Sequence, residues 1–281
     1  MKLTTLVRRM AMGLVLVLAL SLSACSSVDN LFGADDPYSE NRDAQRRDSA
    51  TVEMDGLQVV TLVVKSEVGS VKVMPGDAGE VVVDYKLTAY AHTGAEAQAE
   101  LAEMSVTVRA NGDRVLVDAS QSVDEGDRRS DTVDLTIRVP ETTNLNITNN
   151  VGDVTVEGLS VPETLRLSQD VGSVSLKDVD VAAPVDAHVS VGDLRFNGSL
   201  AADQAHRFTT DTGSITLSLP AEASAMLDAE ATVGSVDVDF TLTDRTDAAP
   251  GVMGSVHGTL GEGGEALTLR TSVGDIAVKQ Q

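Results

Sequence analysis

The chain has 281 residues, with 43 acidic against 21 basic ones for a net charge of -22, one cysteine, no tryptophan, three Tyr and four Phe. One cysteine leaves no internal disulfide and no cysteine-held metal or iron–sulfur centre. So acidic a chain argues against binding nucleic acid or anionic lipid headgroups, and the scarcity of aromatic rings weakens a carbohydrate-binding reading.

Lys2, Arg8 and Arg9 precede an uncharged apolar run from Met10 to Leu22. About 13 residues are too few to cross a hydrocarbon core of roughly 30 Å as a helix, so the run reads as the apolar region of a signal peptide. Leu22-Ser23-Ala24-Cys25 follows and resembles the bacterial lipoprotein box, in which the cysteine is lipidated and becomes the new N-terminus. The resemblance implies a signal peptide over 1–24, a diacyl-thioether plus an N-acyl chain such as palmitate on Cys25, and a membrane partner reached through that lipid. Two or more acyl chains are enough for stable anchoring. The expected location is the extracytoplasmic side of the cell envelope; by the same resemblance Ser26 sends the protein on to the outer membrane where a cell has two. Removing Lys2, Arg8 and Arg9 with residues 1–24, which carry no acidic residue, moves the net charge from -22 to -25.

Residues 25–52 form the lipid anchor and a polar stretch without apolar period, expected to be a flexible tether. Residues 53–143 read as an irregular β region. Val59–Val64, Val81–Tyr85, Val106–Val108, Val115–Val117 and Leu135–Val139 are strand-like, Ala95–Met104 is a short helix, and Asn111-Gly112 is a hairpin turn.

From 144 to 281 the chain repeats. An apolar-Gly-Ser/Asp-apolar tetrapeptide recurs at Gly152, Gly172, Gly192, Gly213, Gly234, a weaker copy at Gly254, and Gly274, with an outlying copy at Gly69; the glycines from 152 onward are 20 or 21 residues apart. Two and four residues after each glycine stand mostly Val, Leu or Ile, and seven and five before it stands a second apolar pair, so two half-buried strands flank each glycine. The step from the valine before the glycine to the next inward position is odd, which requires a turn or bulge that glycine supplies. A third apolar stretch, as in Leu159-Ser160-Val161 and Val179-Asp180-Val181, completes a coil. No coil buries its apolar face alone, but a stack does. The expected fold is all-β, a β-solenoid of about 20-residue coils, with Gly152, Gly172, Gly192, Gly213 and Gly234 climbing one face.

These corners, with Ile137-Arg138-Val139-Pro140, Leu217-Ser218-Leu219-Pro220 and the Gly-rich Leu260–Gly264 before the last copy, resemble a bacterial family of candidate adhesins built from β-strand repeats, of uncharacterised function. The resemblance covers roughly residues 53–281 and implies an envelope β-repeat protein. The motif is structural and names no chemistry; Met253 and Ala277 depart from the pattern.

Candidate chemistry is sparse. His92, His188, His206 and His257 do not share a column, so no metal site is expected, and neither a Gly-x-Ser-x-Gly elbow nor a His-Glu-x-x-His motif occurs. Asp237/Asp239 and Asp178/Asp180 could pair carboxylates on a strand face, but solvated faces are the simpler reading. Asp124-Glu125-Gly126-Asp127 is an oxygen-rich loop without the pattern of a known calcium motif. No catalytic residue and no cofactor is expected. The function expected is a non-enzymatic, lipid-anchored envelope protein that presents a rigid surface to a protein or envelope polymer, adhesin-like or structural. The alternatives are a sensory or regulatory partner in an envelope stress system and a polysaccharide-active β-helix enzyme.

Overall fold

One coil shows how the sequence makes the fold. In Leu165–Val171 the side chains of Leu165, Leu167 and Gln169 point inward and are buried; the chain bulges at Asp170, leaves Val171 outside and turns at Gly172. Val174–Val181 then sends Val174 and Leu176 back into the core. Each strand pairs in parallel, and in phase, with its counterparts one repeat below and above: Leu165 lies opposite Leu145 and Val185, Val174 opposite Val154 and Leu194. This is the ladder that stacked 20-residue coils require. The expected β-solenoid is the observed architecture. The computed structural model describes residues 42–54, 57, 59–120, 131–248 and 253–281.

Strands before the corners build one eleven-stranded sheet and strands after them build another. The inward aliphatic side chains of both merge into one continuous core, in which Phe196 and Phe208 meet with ring centroids 5.6 Å apart. The third side of the coil is short: Ser160–Val161 pairs with Asp180–Val181, which pairs with Ser199–Leu200.

The sequence placed the repeats from 144 onward, but the boundary at 143/144 does not divide the structure. Val60–Val68 and Val71–Pro75, with Gly69 between them, form a complete coil directly below Thr143–Val151 and Val154–Glu157. Arg114–Ala119 and Thr132–Val139 lie parallel on its other side. Antiparallel strands close this end: Thr107–Asn111 forms the expected hairpin with Arg114–Ala119, and Glu80–Ala91 lies on Thr132–Val139. The helix, Gly94–Glu103, buries Ala97 and Leu101 and is capped by Thr93 and Glu96 in a reciprocal box.

The expected tether also ends early. Arg42–Glu53 is a strand, paired antiparallel with Glu80–Ala91 along its whole length. Its hydrophilic sequence hid it: as the outermost strand it buries Ala44 but exposes most of its charges, the composition that protects an edge from pairing with another chain.

At the other end the climb breaks after Gly213. The next coil in sequence, Ala225–Val233 and Val236–Val238, leaves a space one coil wide above His206–Thr212 and Ile215–Leu219. The last strands of the chain, Ala266–Val273 and Ile276–Gln280, fill that space in parallel register with both neighbours. The corner glycines therefore rise in the order 69, 152, 172, 192, 213, 274, 234. The weak copy at Gly254 makes no coil: Gly254–Leu260 runs antiparallel to Ala225–Val233, and Leu242–Asp247 lies antiparallel on it as the outer edge.

Candidate functional site

The corner explains its own residue types. Gly172 has φ 134°, and a Cβ there would stand 2.0 Å from the carbonyl oxygen of Gly152; the same holds up the column, to Gly274 against Gly213 and Gly234 against Gly274. Two backbones approach closely at an angle L-residues avoid, so only glycine fits. The residue after it is a relay. Asp153 accepts from the Ser173 amide, Asp193 from that of Ser214 and Asp275 from that of Ser235, and Asp134, which follows Val133 and not a glycine, accepts from that of Ser70, at 2.8 to 3.0 Å. The Ser235 amide and hydroxyl hold the Asp275 carboxyl below its ordinary 3.8.

Just inside the corner runs a row of buried polar residues that the apolar pattern did not announce. Asn149 Nδ2 donates to Gln169 Oε1 at 3.1 Å, Gln169 Nε2 donates to the carbonyls of Gly152 and Val171 at 2.9 and 2.8 Å, and the hydroxyls of Thr210 and Thr271 donate to the carbonyls of Gly192 and Gly213. These side chains satisfy corner carbonyls that the ladder leaves turned inward. They stand three residues before Gly152, Gly172, Gly213 and Gly274, and that position was the available signal; Val189 and Ala231 occupy it before Gly192 and Gly234.

The valine before the glycine departs from expectation. The apolar pattern makes it an inward position, but the parity break falls one step earlier, at the bulge, and Val151, Val171, Val191, Val233 and Val273 are all exposed.

The outer face of the pre-corner sheet carries the main charged cluster. Arg270, on the inserted last coil, donates to Glu230 and to Asp228, and His257 Nδ1 lies 2.8 Å from Asp228. Arg270 and Glu230 also line a concavity of about 330 Å³, together with His188, Thr209, Asp211 and Ser272. His188 Nδ1 faces the Thr209 hydroxyl at 3.0 Å, while Ser190 and Asp211 both lie on the Nε2 side at 3.4 and 4.0 Å. A Ser-His-Asp triad needs the serine and the carboxylate on opposite nitrogens, so this trio is not set up for that chemistry. On the post-corner sheet, Lys72 and Lys177 flank Glu157 at 3.0 and 3.2 Å and hold its carboxyl below the ordinary 4.5.

His92 is exposed and far in sequence from the other three; His206 is buried. It occupies an inward position of Leu and Val, opposite Val185 and Leu267, and its Nε2 contacts the Ala201 carbonyl at 2.8 Å. Asp178 sits at a bend with φ 52°, Asp180 accepts from Ser199, and Asp237 and Asp239 are exposed; neither pair converges on a common point with a proton partner. Among the described residues no group of three or more His, Cys, Asp and Glu is placed to hold a metal, and no helix is long and apolar enough to cross a membrane. Cys25 and the Asp124–Asp127 loop lie outside the described residues.

Solved structures that resemble the chain include three from bacteria. A candidate cell adhesion protein from Clostridium sporogenes is 12% identical, covers 85% of this chain and 100% of its own, and has a TM-score of 0.45. Candidate adhesins from Bacteroides fragilis and Parabacteroides distasonis are 11% and 8% identical, cover 83% and 84% of this chain and 97% of their own, and have TM-scores of 0.33 and 0.27. No curated protein matches the sequence. The Toastrack DUF4097 family matches residues 61–279, nearly the whole solenoid, and the chain belongs to it.

Proposed function

We propose that this Toastrack protein is a lipid-anchored, non-enzymatic component of the cell envelope whose solenoid presents a rigid contact surface, adhesin-like or structural in role. The observation that carries the reading is the corner column. Seven corners stacked in continuous parallel register, with the carbonyls of Gly69, Gly152, Gly192 and Gly213 accepting from side chains inside and the amides of Ser70, Ser173, Ser214 and Ser235 donating to carboxylates outside, make a stiff support with an extended polar exterior. Among the described residues the outward side chains form local ion pairs and do not converge as acid, base and nucleophile, which supports binding over turnover. The lipoprotein box at Cys25 supplies the anchor and supports an extracytoplasmic location.

Cys25→Ala tests the anchor. The wild-type protein should partition with membranes and the variant should be released as soluble protein; unchanged partitioning of the variant would show the lipid assignment to be wrong. Pull-down from intact envelope with the anchored and released forms tests the surface. Retention of an envelope partner by both forms supports a binding role for the solenoid.

A further inference from the structure

Across the corner the residues before the glycines form one continuous spine, valine at every position but Thr212 and exposed from Val151 onward. Val68 lies opposite Val151, Val151 opposite Val171, Val171 opposite Val191, Val191 opposite Thr212, Thr212 opposite Val273, and Val273 opposite Val233. Six steps of about 4.8 Å make it roughly 29 Å long. Exposure of Val151, Val171, Val191, Val273 and Val233 is 42% to 49%: one side of each packs on its neighbours, the other faces solvent.

Local geometry does not demand an aliphatic residue there. Thr212 occupies the same bulge in the same register, so a β-branched hydroxyl residue serves the backbone equally well. An exposed apolar row of this length is what a surface keeps for contact.

The charges beside the spine are ordered. From the coil of Gly69 to that of Gly274, each coil carries one carboxylate beside its spine residue, on alternate sides. Glu67, Asp170 and Asp211 stand on one flank; Asp153, Asp193 and Asp275 stand on the other. Carboxylates on one flank are thus two coils, about 9.6 Å, apart. No Lys or Arg stands in these rows; Arg195 reaches in from the adjoining face to Asp193 at 2.7 Å, and His188 lies 4.0 Å from Asp211. An apolar line between two anionic flanks complements a segment that offers aliphatic side chains flanked by cations. A second copy of this chain, equally acidic, would set carboxylates against carboxylates.

We propose that this corner ridge is a docking surface for a cationic, aliphatic polypeptide segment lying along the solenoid axis. The proposal rests on the binding role above and names the surface and the chemistry of the partner. Apolar contact with the valines supplies the short-range attraction, and the carboxylates supply orientation and a salt-sensitive association rate.

The test is calorimetric titration of the full chain with three twelve-residue peptides: alternating Val-Lys, alternating Ser-Lys and alternating Val-Glu. The Val-Lys peptide should bind, and more weakly as salt is raised; the other two should bind at least tenfold more weakly. Val171→Ser with Val191→Ser, which follows the hydroxyl residue already present at Thr212, should weaken Val-Lys binding at least tenfold with an unchanged melting temperature. Asp170→Asn with Asp193→Asn keeps an acceptor for the Ser214 amide and should flatten the salt dependence. Equal affinity for Val-Lys and Val-Glu, no binding of Val-Lys, or full binding by the valine variant would each overturn the ridge assignment. If the valine variant still retains its envelope partner in the pull-down, the ridge is wrong and the binding role stands; loss of that partner from the wild-type solenoid itself defeats the binding role.

Discussion

At Gly172 the difference between glycine and alanine is a methyl group 2.0 Å from a backbone oxygen, at φ 134°. Neither neighbour can give, because the oxygen belongs to the next corner and that corner is stacked in turn on another. Gly112 is also at positive φ, 63°, but a methyl there meets nothing within 4 Å. The two positions separate backbone strain from collision. Gly112→Ala should cost about 1–2 kcal/mol, the ordinary penalty for a left-handed residue. Gly172→Ala should cost about 3 kcal/mol or more, since strain and displacement of the stacked carbonyl add. Urea denaturation of the two variants checks this; equal losses would mean that the column relaxes freely and that close approach is not what selects glycine.

Among the elements, the last coil is the one whose place is least expected from its position in the chain. A C-terminal strand ordinarily frays, but Ala266–Val273 lies between His206–Thr212 and Ala225–Val233, and Ile276–Gln280 between Ile215–Leu219 and Val236–Val238. Arg270 fastens it further by pairing with Asp228 and Glu230 on the upper neighbour. Native-state hydrogen exchange should therefore find the amides of Leu267, Leu269, Ile276 and Val278 among the slowest of the molecule, and those of the edge strand Leu242–Asp247 among the fastest. Fast exchange over the last fifteen residues would contradict the insertion. The sequence made the coil legible, because period-two alternation around a glycine describes a strand, a corner and a strand wherever it occurs. It did not make the stacking order legible, because every coil offers nearly the same interface above and below. One trace of the order is nonetheless written in the residues after the glycines. From Gly152 they read Asp, Ser, Asp, Ser, Ser, Ser, Asp along the chain, and alternate in space once the last coil is placed between Ser214 and Ser235. The strand Arg42–Glu53 and the buried row of Asn149, Gln169, Thr210 and Thr271 escaped for the opposite reason: an edge strand and a polar ladder both lack the apolar signature that marks burial.

For the molecule as a whole, a net charge of -22 suggests that acidification should relieve repulsion and stabilise the fold, but the magnitudes place that relief too low in pH. Ordinary carboxyls titrate near 4, and Asp275, Glu157 and Asp118 are held lower still, by hydrogen bonds from Ser235, from Lys72 and Lys177, and from Ser120 respectively. Between pH 7 and 5.5 the buried imidazole of His206 sets a slope of its own. Burial pushes that imidazole below its ordinary 6.5, against the hydrogen bond to Ala201 and the nearby Asp203 carboxylate, which favour the proton. The unfolded chain thus takes up a proton before the folded one does. Stability is complete above about pH 6.5, falls as pH drops through that value, and stops falling from this cause once the folded imidazole is protonated. The protonated ring would place a charge between Val185 and Leu267, the second of which belongs to the inserted coil, so the loss should register in the global unfolding transition. His206→Gln keeps a donor for the Ala201 carbonyl and carries no titration. Denaturation midpoints of wild type and variant should diverge with the wild type losing more as pH falls from 7 to 5.5. Parallel profiles would show that the core accommodates the imidazolium, and a core able to do that is not the dry aliphatic stack on which the solenoid's rigidity depends.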